Sequence, residues 1–227
     1  MLTPAQIDAL RRFDACTISD AIEQCGVRLR NEGFARPGLR SLTVPEARLV
    51  GYAATFRMRS SEPPIQGGAF LDRTDWWDAI ARMPLPRIAV IRDMDPQPVG
   101  SCVGEIHAAL FQALRCDGVI TNGAVRDLPG IRKLGLPVFA RHVAVSHAYT
   151  HVVDYGGAVE ILGLEVRNGD LLFADCHGVV AIPSKIAASI AGIASEIRNK
   201  EERIVAACQT PGLSNQELLH AIRGKAQ

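Results

Sequence analysis

The sequence predicts a mixed α/β protein of one domain, and three observations carry that expectation. Residues 87–145 alternate short apolar runs with amphipathic stretches, the pattern of parallel strands joined by helical crossovers. Residues 151–183 are rich in β-branched side chains and broken by GG, NGD and HG, which reads as a β-meander. SKIAASIAGIASEIRNKEERIVAA, residues 184–207, is a long amphipathic run that predicts a helix near the C-terminus.

In chain order, residues 3–25 read as helical: Thr3 can cap, Pro4 suits a first turn, and Ile7, Leu10 and Phe13 recur at helical spacing. A second short helix is expected from Thr17 or Ser19 to Cys25, stopped by Gly26. RNEGFARPGLRSL reads as loop, and ARLVGYAATFRMRS as a strand with a glycine irregularity. Residues 60–86 are the least regular, with a helix expected over Trp76, Trp77 and Ile80 that Pro84 ends. RIAVIRD, VITNGAV and LPVFARHVAV are expected strands, and RDLPGIRKLG a short helix or turn. GEIHAALFQALRCDG is expected to be a helix that buries Ile106, Ala109, Leu110, Ala113 and Leu114, with Gly118 after its end. Turns are expected at Gly156-Gly157, Asn168-Gly169 and His177-Gly178, and a last helix over 214–223 from a Ser214 cap. No linker or repeat divides the 227 residues, so residues 1–227 read as one domain.

A composition of 48% hydrophobic and 22% charged residues supports a sizeable core. The net charge of +1 is spread along the chain, which argues against nucleic acid as the main partner. The six cysteines include no CxxC pair and are expected to be reduced thiols in a cytoplasmic protein. The first residues show no signal peptide, and no run reaches the roughly 20 apolar residues that span a bilayer. Neither a Walker loop nor GxGxxG occurs, so nucleotide binding has no support.

Arg126 and Asp127 stand where the apolar run VITNGAV stops, and strand ends are where ligands bind in open α/β sheets. About 20 residues earlier, Gly104 and Glu105 open a helix whose first amides could seat an anion. Arginine supplies a two-pronged donor for a carboxylate, and aspartate an oxygen for a hard cation. On residue types alone, a solvated ion pair that never meets Glu105 explains the same pattern. A second candidate gathers His142, His147, His151 and His177 near Asp154 and Asp175; His147 and His151 would share one strand face and could bind zinc. Cys176 and His177, being adjacent, are expected to point apart and so not to form a nucleophile–base pair.

GEIHAAL, GVITNGAVRD, LPVFAR and VRNGDLLFADCHGVVAIP together resemble the RraA-like family. It includes the metal-dependent 4-hydroxy-4-methyl-2-oxoglutarate aldolases and the regulators of ribonuclease E activity. The resemblance runs from about residue 15 to residue 205. It implies a swivelling β/β/α fold with central mixed sheets, assembled as a homotrimer or homohexamer with sites between subunits. It implies that Gly104, Glu105, Ile106 and His107 bind the pyruvate end of an oxo acid. Arg126 would grip the substrate carboxylate and carbonyl, and Asp127 would bind Mg2+ or Mn2+, with Glu105 helping through water. A glutamate from a neighbouring C-terminal helix would also take part; among Glu196, Glu201 and Glu202, Glu202 best keeps the family's offset. The implied activity is cleavage of a 4-hydroxy-2-oxo acid to pyruvate, with oxaloacetate decarboxylation through the same enolate. The alternative within the family is a non-enzymatic regulator that binds a ribonuclease. Departures from the pattern are Asn122 for the usual aspartate, Asp175-Cys176-His177 in place of the D-x-D turn, and the segments 60–86 and 144–157.

Overall fold

The first helices form where side chains cap them. Thr3 accepts from the Gln6 amide while Gln6 reaches back, and Pro4 sits in the first turn of α1 (Pro4–Leu10). The second helix begins earlier than expected, because Asp14 is a better cap than Thr17: its Oδ1 accepts from Thr17 N at 2.8 Å and Thr17 Oγ1 at 2.9 Å, starting α2 (Ala15–Gln24). Gly26, at φ +60, ends it. Residues 27–48 are irregular apart from the short β1 (Arg40–Ser41).

The computed structural model describes residues 1–65 and 74–223, so the irregularity expected for 66–73 lies outside the described residues. β2 (Leu49–Arg59) alternates as a strand buried on both faces: Val50, Tyr52, Ala54, Phe56 and Met58 face the helices, and Leu49 and Ala53 the opposite layer. Its irregularity is a bulge at Arg57–Met58, not at Gly51. α3 (Asp75–Ala81) buries Trp76 and Ile80, and β3 (Arg87–Asp93) follows.

The next elements come in pairs. β4 (Ser101–Val103) runs into α4 (Glu105–Ala113), and β5 (Cys116–Thr121) is followed by β6 (Ala124–Val125) and α5 (Leu128–Leu134). β7 (Val138–Ala140) is followed by β8 (His142–Val143). VITNGAV and LPVFARHVAV are thus each two strands, because the chain steps from one sheet to another at Asn122–Gly123 and at Arg141. Helix α4 buries only part of the face expected. Leu110 and Leu114 pack half-buried against the core beside the fully buried Ala108 and Phe111, whereas Ile106 is 68% exposed and Ala109 and Ala113 are exposed. Arg115, at φ +58, turns the chain out of α4; Gly118 lies inside β5 against Leu49 and the Pro137 carbonyl.

β9 (His151–Tyr155) begins at His151, so His147 lies in the preceding loop and the two histidines share no strand. β10 (Val159–Ile161) and β11 (Leu164–Val166) form a hairpin, whose turn at Leu162–Gly163 was not expected. β12 (Leu171–Asp175) and β13 (Gly178–Ile182) form the other. α6 (Ala187–Cys208) buries Ala187, Ile190, Ala194 and Ile197, and α7 (Asn215–Arg223) starts at a Ser214–Glu217 capping box. No helix among the described residues is long and apolar enough to cross a membrane.

The main sheet, ordered β1-β7-β5-β3-β2-β12-β13, carries parallel β2, β3, β5 and β7, with β9 pairing the distal half of β2. One stretch of its outer face is covered by α1, α2 and α6, the other by α3, α4 and α5. The inner face is filled by the β10–β11 hairpin and by Ala35 and Leu39. β3, β5 and β7 lead into the second sheet, parallel β4-β6-β8, from whose carboxyl ends α4 and α5 start.

The loop joining β3 to β4 is held by a buried carboxylate. Asp95 accepts from Ser60 N and Ser61 N, both at 2.8 Å, and from both hydroxyls; Ser60 Oγ in turn accepts from Gly100 N at 2.9 Å. Burial raises the Asp95 pKa, but these serine donors outweigh it and hold the carboxyl below its usual range. Its contribution to stability is therefore present at neutral pH and lost as pH falls through that depressed value. Asp95→Ala leaves buried donors unsatisfied and is expected to cost about 3 kcal/mol in urea denaturation. A loss below about 1 kcal/mol would show that the loop is anchored elsewhere.

Candidate active site

Two strand ends of the small sheet bring the site together. β4 ends at Val103, whose carbonyl accepts from Arg126 N at 2.9 Å, which fixes the stretch after β6 beside the start of α4. Gly104 caps α4 without a side chain, so the cap residue itself takes none of the first-turn amides. Asp127 caps α5 in the left-handed region, φ +55 and ψ +35, which an aspartate tolerates better than most residues. That conformation turns its carboxylate back across the gap: Oδ2 accepts from Glu105 N at 3.2 Å and from Arg126 Nε at 3.1 Å.

Glycine at 104 is a geometric requirement, since a Cβ there would stand 2.7 Å from Asp127 Oδ2. Gly130 in α5 leaves room in the same way for the Glu105 carboxylate, which lies against it. Gly123 does so one layer down, where a Cβ would meet Cys102 Sγ at 2.7 Å and Asp93 Cβ at 2.9 Å.

Electrostatics at the mouth are set by these contacts. Partial burial raises the Asp127 pKa, but the Arg126 hydrogen bond, the Glu105 amide and the nearby guanidinium charge outweigh it, so the carboxylate stays ionised. Burial, with the charges of His147 and Arg126, pushes the His107 imidazole down to about 4. His107 is thus neutral at pH 7 and can hydrogen-bond without bringing a second cation beside Arg126. The side chain of Ile106 points to solvent, which leaves its backbone amide as what it offers a ligand.

The sequence profile described as RraA-like, Aldolase/RraA, matches residues 15–181. The chain belongs to the RraA-like family. Its curated relatives include protein DlpA of Legionella pneumophila, 29% identical over 88% of this chain and 31% of that protein. A putative 4-hydroxy-4-methyl-2-oxoglutarate aldolase of Halalkalibacterium halodurans is 24% identical over 43% of this chain and 47% of its own length. The matched segments therefore span less than half the length of either relative. Among solved structures, an uncharacterized protein of Pseudomonas syringae superposes with TM-score 0.76 at 23% identity, covering 99% of this chain and 95% of that one. Streptomyces coelicolor RraAS2, described as an unusual member of the RNase ES inhibitor RraA protein family, gives 0.70 at 21% identity over 88% and 96%. These likenesses show the fold: mixed α/β, with a nearly closed central mixed sheet and a long C-terminal helix.

Within this RraA-like chain, Glu202 is not brought to Asp127 by the fold. It is exposed on α6, which packs against α1 and α2 and whose buried contacts end at Ile197. The histidine site does not assemble either. His147 Nδ1 lies 2.8 Å from the Ala148 carbonyl, His151 Nδ1 2.8 Å from that of Tyr149, and Asp154 pairs with Arg57. Cys176 and His177 were expected to point apart, yet the turn brings Sγ to 3.5 Å from Nδ1.

Sequence reasoning missed Asp93. Its amide donates to Asn122 Oδ1 at 2.7 Å and its carbonyl accepts from Asn122 Nδ2 at 3.0 Å, a clamp between the ends of β3 and β5. The substitution of asparagine for the family's aspartate at 122 is the signal that could have found it, since an amide can donate and accept at once.

The His107 environment has a measurable consequence. A pKa of about 4, against 6.5 unfolded, means the unfolded state binds the proton first as pH falls. The stability contribution is whole above pH 6.5 and is lost towards pH 4, at most about 3 kcal/mol. His107→Gln is expected to flatten this part of the profile in urea denaturation at pH 7 and pH 4.5. An unaltered profile would show that other groups dominate it.

Proposed function

We propose that this RraA-like protein is a divalent-metal-dependent lyase that cleaves a 4-hydroxy-2-oxo acid, such as 4-hydroxy-4-methyl-2-oxoglutarate, to release pyruvate. One observation carries the reading: an ionised Asp127 at the joint mouth of two helices, tied to Glu105 N and flanked by Arg126. The resemblance to the putative aldolase of H. halodurans supports it.

The residues suit a hard cation. The Asp127 oxygens form the donor set, in a cradle that a Cβ at residue 104 would invade, and Glu105 against Gly130 can reach a cation through water. Mg2+ or Mn2+ there would supply Lewis-acid stabilisation of the charge that develops on the 2-oxo group. Arg126 uses Nε for Asp127, which leaves its Nη end to take the substrate carboxylate as a fork and hold the oxo acid in register. The amides at the start of α4 add fixed donors for the same anionic end. Cleavage then needs the C4 hydroxyl proton removed as the C3–C4 bond breaks and its electrons pass to the pyruvate enolate, which is protonated at C3. A water held by Glu105 would accept the first proton. Oxaloacetate would decarboxylate through the same enolate. In a homotrimer or homohexamer, Glu202 of a neighbouring copy would complete the site.

A second reading, a regulator that acts by binding a ribonuclease, draws on the exposed Ile106, Val143 and Val145 beside the site and on the likeness to RraAS2. A lactate dehydrogenase-coupled assay separates the two. Wild-type protein is expected to release pyruvate from 4-hydroxy-4-methyl-2-oxoglutarate and from oxaloacetate with Mg2+ or Mn2+, but not with EDTA. Asp127→Ala and Arg126→Ala are each expected to lower kcat/KM by at least about 100-fold, and Gly104→Ala to do the same by displacing Asp127. Unchanged release in Asp127→Ala would end this mechanism, and no release by wild type would favour the regulator.

A further inference from the structure

A second cluster of ligand-type side chains lies on the other flank of the molecule, under α2. β12 and β13 close at the Asp175–Gly178 pair, which leaves Cys176 and His177 as a two-residue turn with Gly178 at φ +134. The carboxylate of Asp175, Cys176 Sγ and a His177 ring nitrogen lie within 4.8 Å of one another, the sole such group of three among the described residues. We propose that Asp175, Cys176 and His177 form a three-ligand binding site for a thiolate-seeking divalent cation such as Zn2+, its fourth position left to water, separate from the Asp127 site.

The distances suit tetrahedral coordination. With Zn–S of about 2.3 Å and Zn–N of about 2.0 Å, the S···N edge is about 3.5 Å; an N···O edge with two bonds of about 2.0 Å is about 3.3 Å. Cys176 Sγ is 3.5 Å from His177 Nδ1, and Asp175 Oδ1 is 3.1 Å from that nitrogen. The O···S edge then has to close by no more than about 1.3 Å.

The anchoring ligand is already oriented. Asp175 is buried, its Oδ2 accepting from Ala15 N at 2.8 Å and its Oδ1 from His177 N at 2.9 Å. Such backbone donors fix a ligating carboxylate and tune it. The positive end of α2 opposes a cation, and the carboxylates of Asp14 and Asp175 at that end offset it.

The two sites would then divide cations by softness. Thiolate and imidazole select Zn2+ or Co2+, whereas the carboxylate oxygens of Asp127 suit Mg2+ or Mn2+. Bound metal would fix the β12–β13 turn, whose Asp175 already holds the Ala15 amide at the start of α2.

Co2+ serves as the probe. The reduced, metal-stripped full chain is titrated with Co2+ while thiolate-to-cobalt charge-transfer absorption is followed, and Zn2+ is then added to displace it. Wild type and Asp127→Asn are both expected to develop the band with one equivalent, and Zn2+ to raise the melting temperature of each. Cys176→Ser is expected to abolish the band, and His177→Ala to weaken Co2+ binding by at least about 100-fold. Cys176 and His177 are exposed, so unchanged circular dichroism should accompany these losses. Absence of the band in wild type, its survival in Cys176→Ser, or its loss in Asp127→Asn would overturn the proposal.

Discussion

The left-handed backbone at Asp127 is the constraint on which the candidate site depends. With an ordinary helical start there, its carboxylate would project along α5 and not back to the Glu105 amide. The strained residue is held from both sides: Arg126 N is bound to the Val103 carbonyl, and Ile131 N to the Asp127 carbonyl at 3.1 Å. Strain of this kind costs on the order of 1 kcal/mol and persists where neighbouring bonds over-determine it. A single carboxylate oxygen thereby links the N-termini of two helices and the guanidinium between them.

That geometry has a cause one level down, in how the chain leaves the main sheet. Three parallel strands step into a second small parallel sheet, and each step is fixed by polar contacts as well as by packing. The Asn122 amide ties the end of β5 to the backbone of Asp93. Ser101 N donates to the Ser146 carbonyl at 2.8 Å, and Thr150 Oγ1 to the Ser101 carbonyl at 2.8 Å. Since packing is non-directional and hydrogen bonds are not, the apolar layers set the thickness of the fold while these bonds set where α4 and α5 begin. Gly104 and Gly123 then let the layers close to distances that no Cβ would allow.

Features encoded locally could be read from the sequence. Thr3-Pro4, Ser214 and the Asn168-Gly169 turn each act within a few residues, and the structure places them as expected. The alternation of Leu49–Arg59 announced a strand because period 2 survives even when both faces are buried. The rest depended on partners distant in sequence. Ile106 looked like a core residue by helical spacing, but α4 centres its contact on Ala108 and Phe111, so of the expected stripe only Leu110 and Leu114 pack against the core. VITNGAV read as one strand although Asn122-Gly123 interrupts its apolar residues, because the change of sheet there depends on partners distant in sequence. The juxtaposition of Glu105 with Asp127 was suggested by family resemblance, since residue types alone fitted a solvated pair equally well. The inward turn of Cys176 and His177 escaped the alternation rule, which holds along a strand and fails at a two-residue turn.

The two ends of α6 are in different physical situations, and that bears on how a site here could be completed. Its first half is fixed by Ala187, Ile190, Ala194 and Ile197 against α1 and α2. Beyond Arg198, which lies over the Phe13 ring and donates to the Arg12 carbonyl, no residue of the helix is buried. A helix stretch with so little tertiary burial owes its order to propensity and to side-chain pairs, and these are weak. Glu202 sits in that stretch, on the flank of the sheet that carries α1 and α2, whereas Asp127 is on the flank that carries α4 and α5. If Glu202 works at an Asp127 site, the geometry of one chain requires that the site belong to another copy. Assembly would then bury this stretch of α6 and bring a third carboxylate, after Asp127 and Glu105, to the Asp127 mouth in one step.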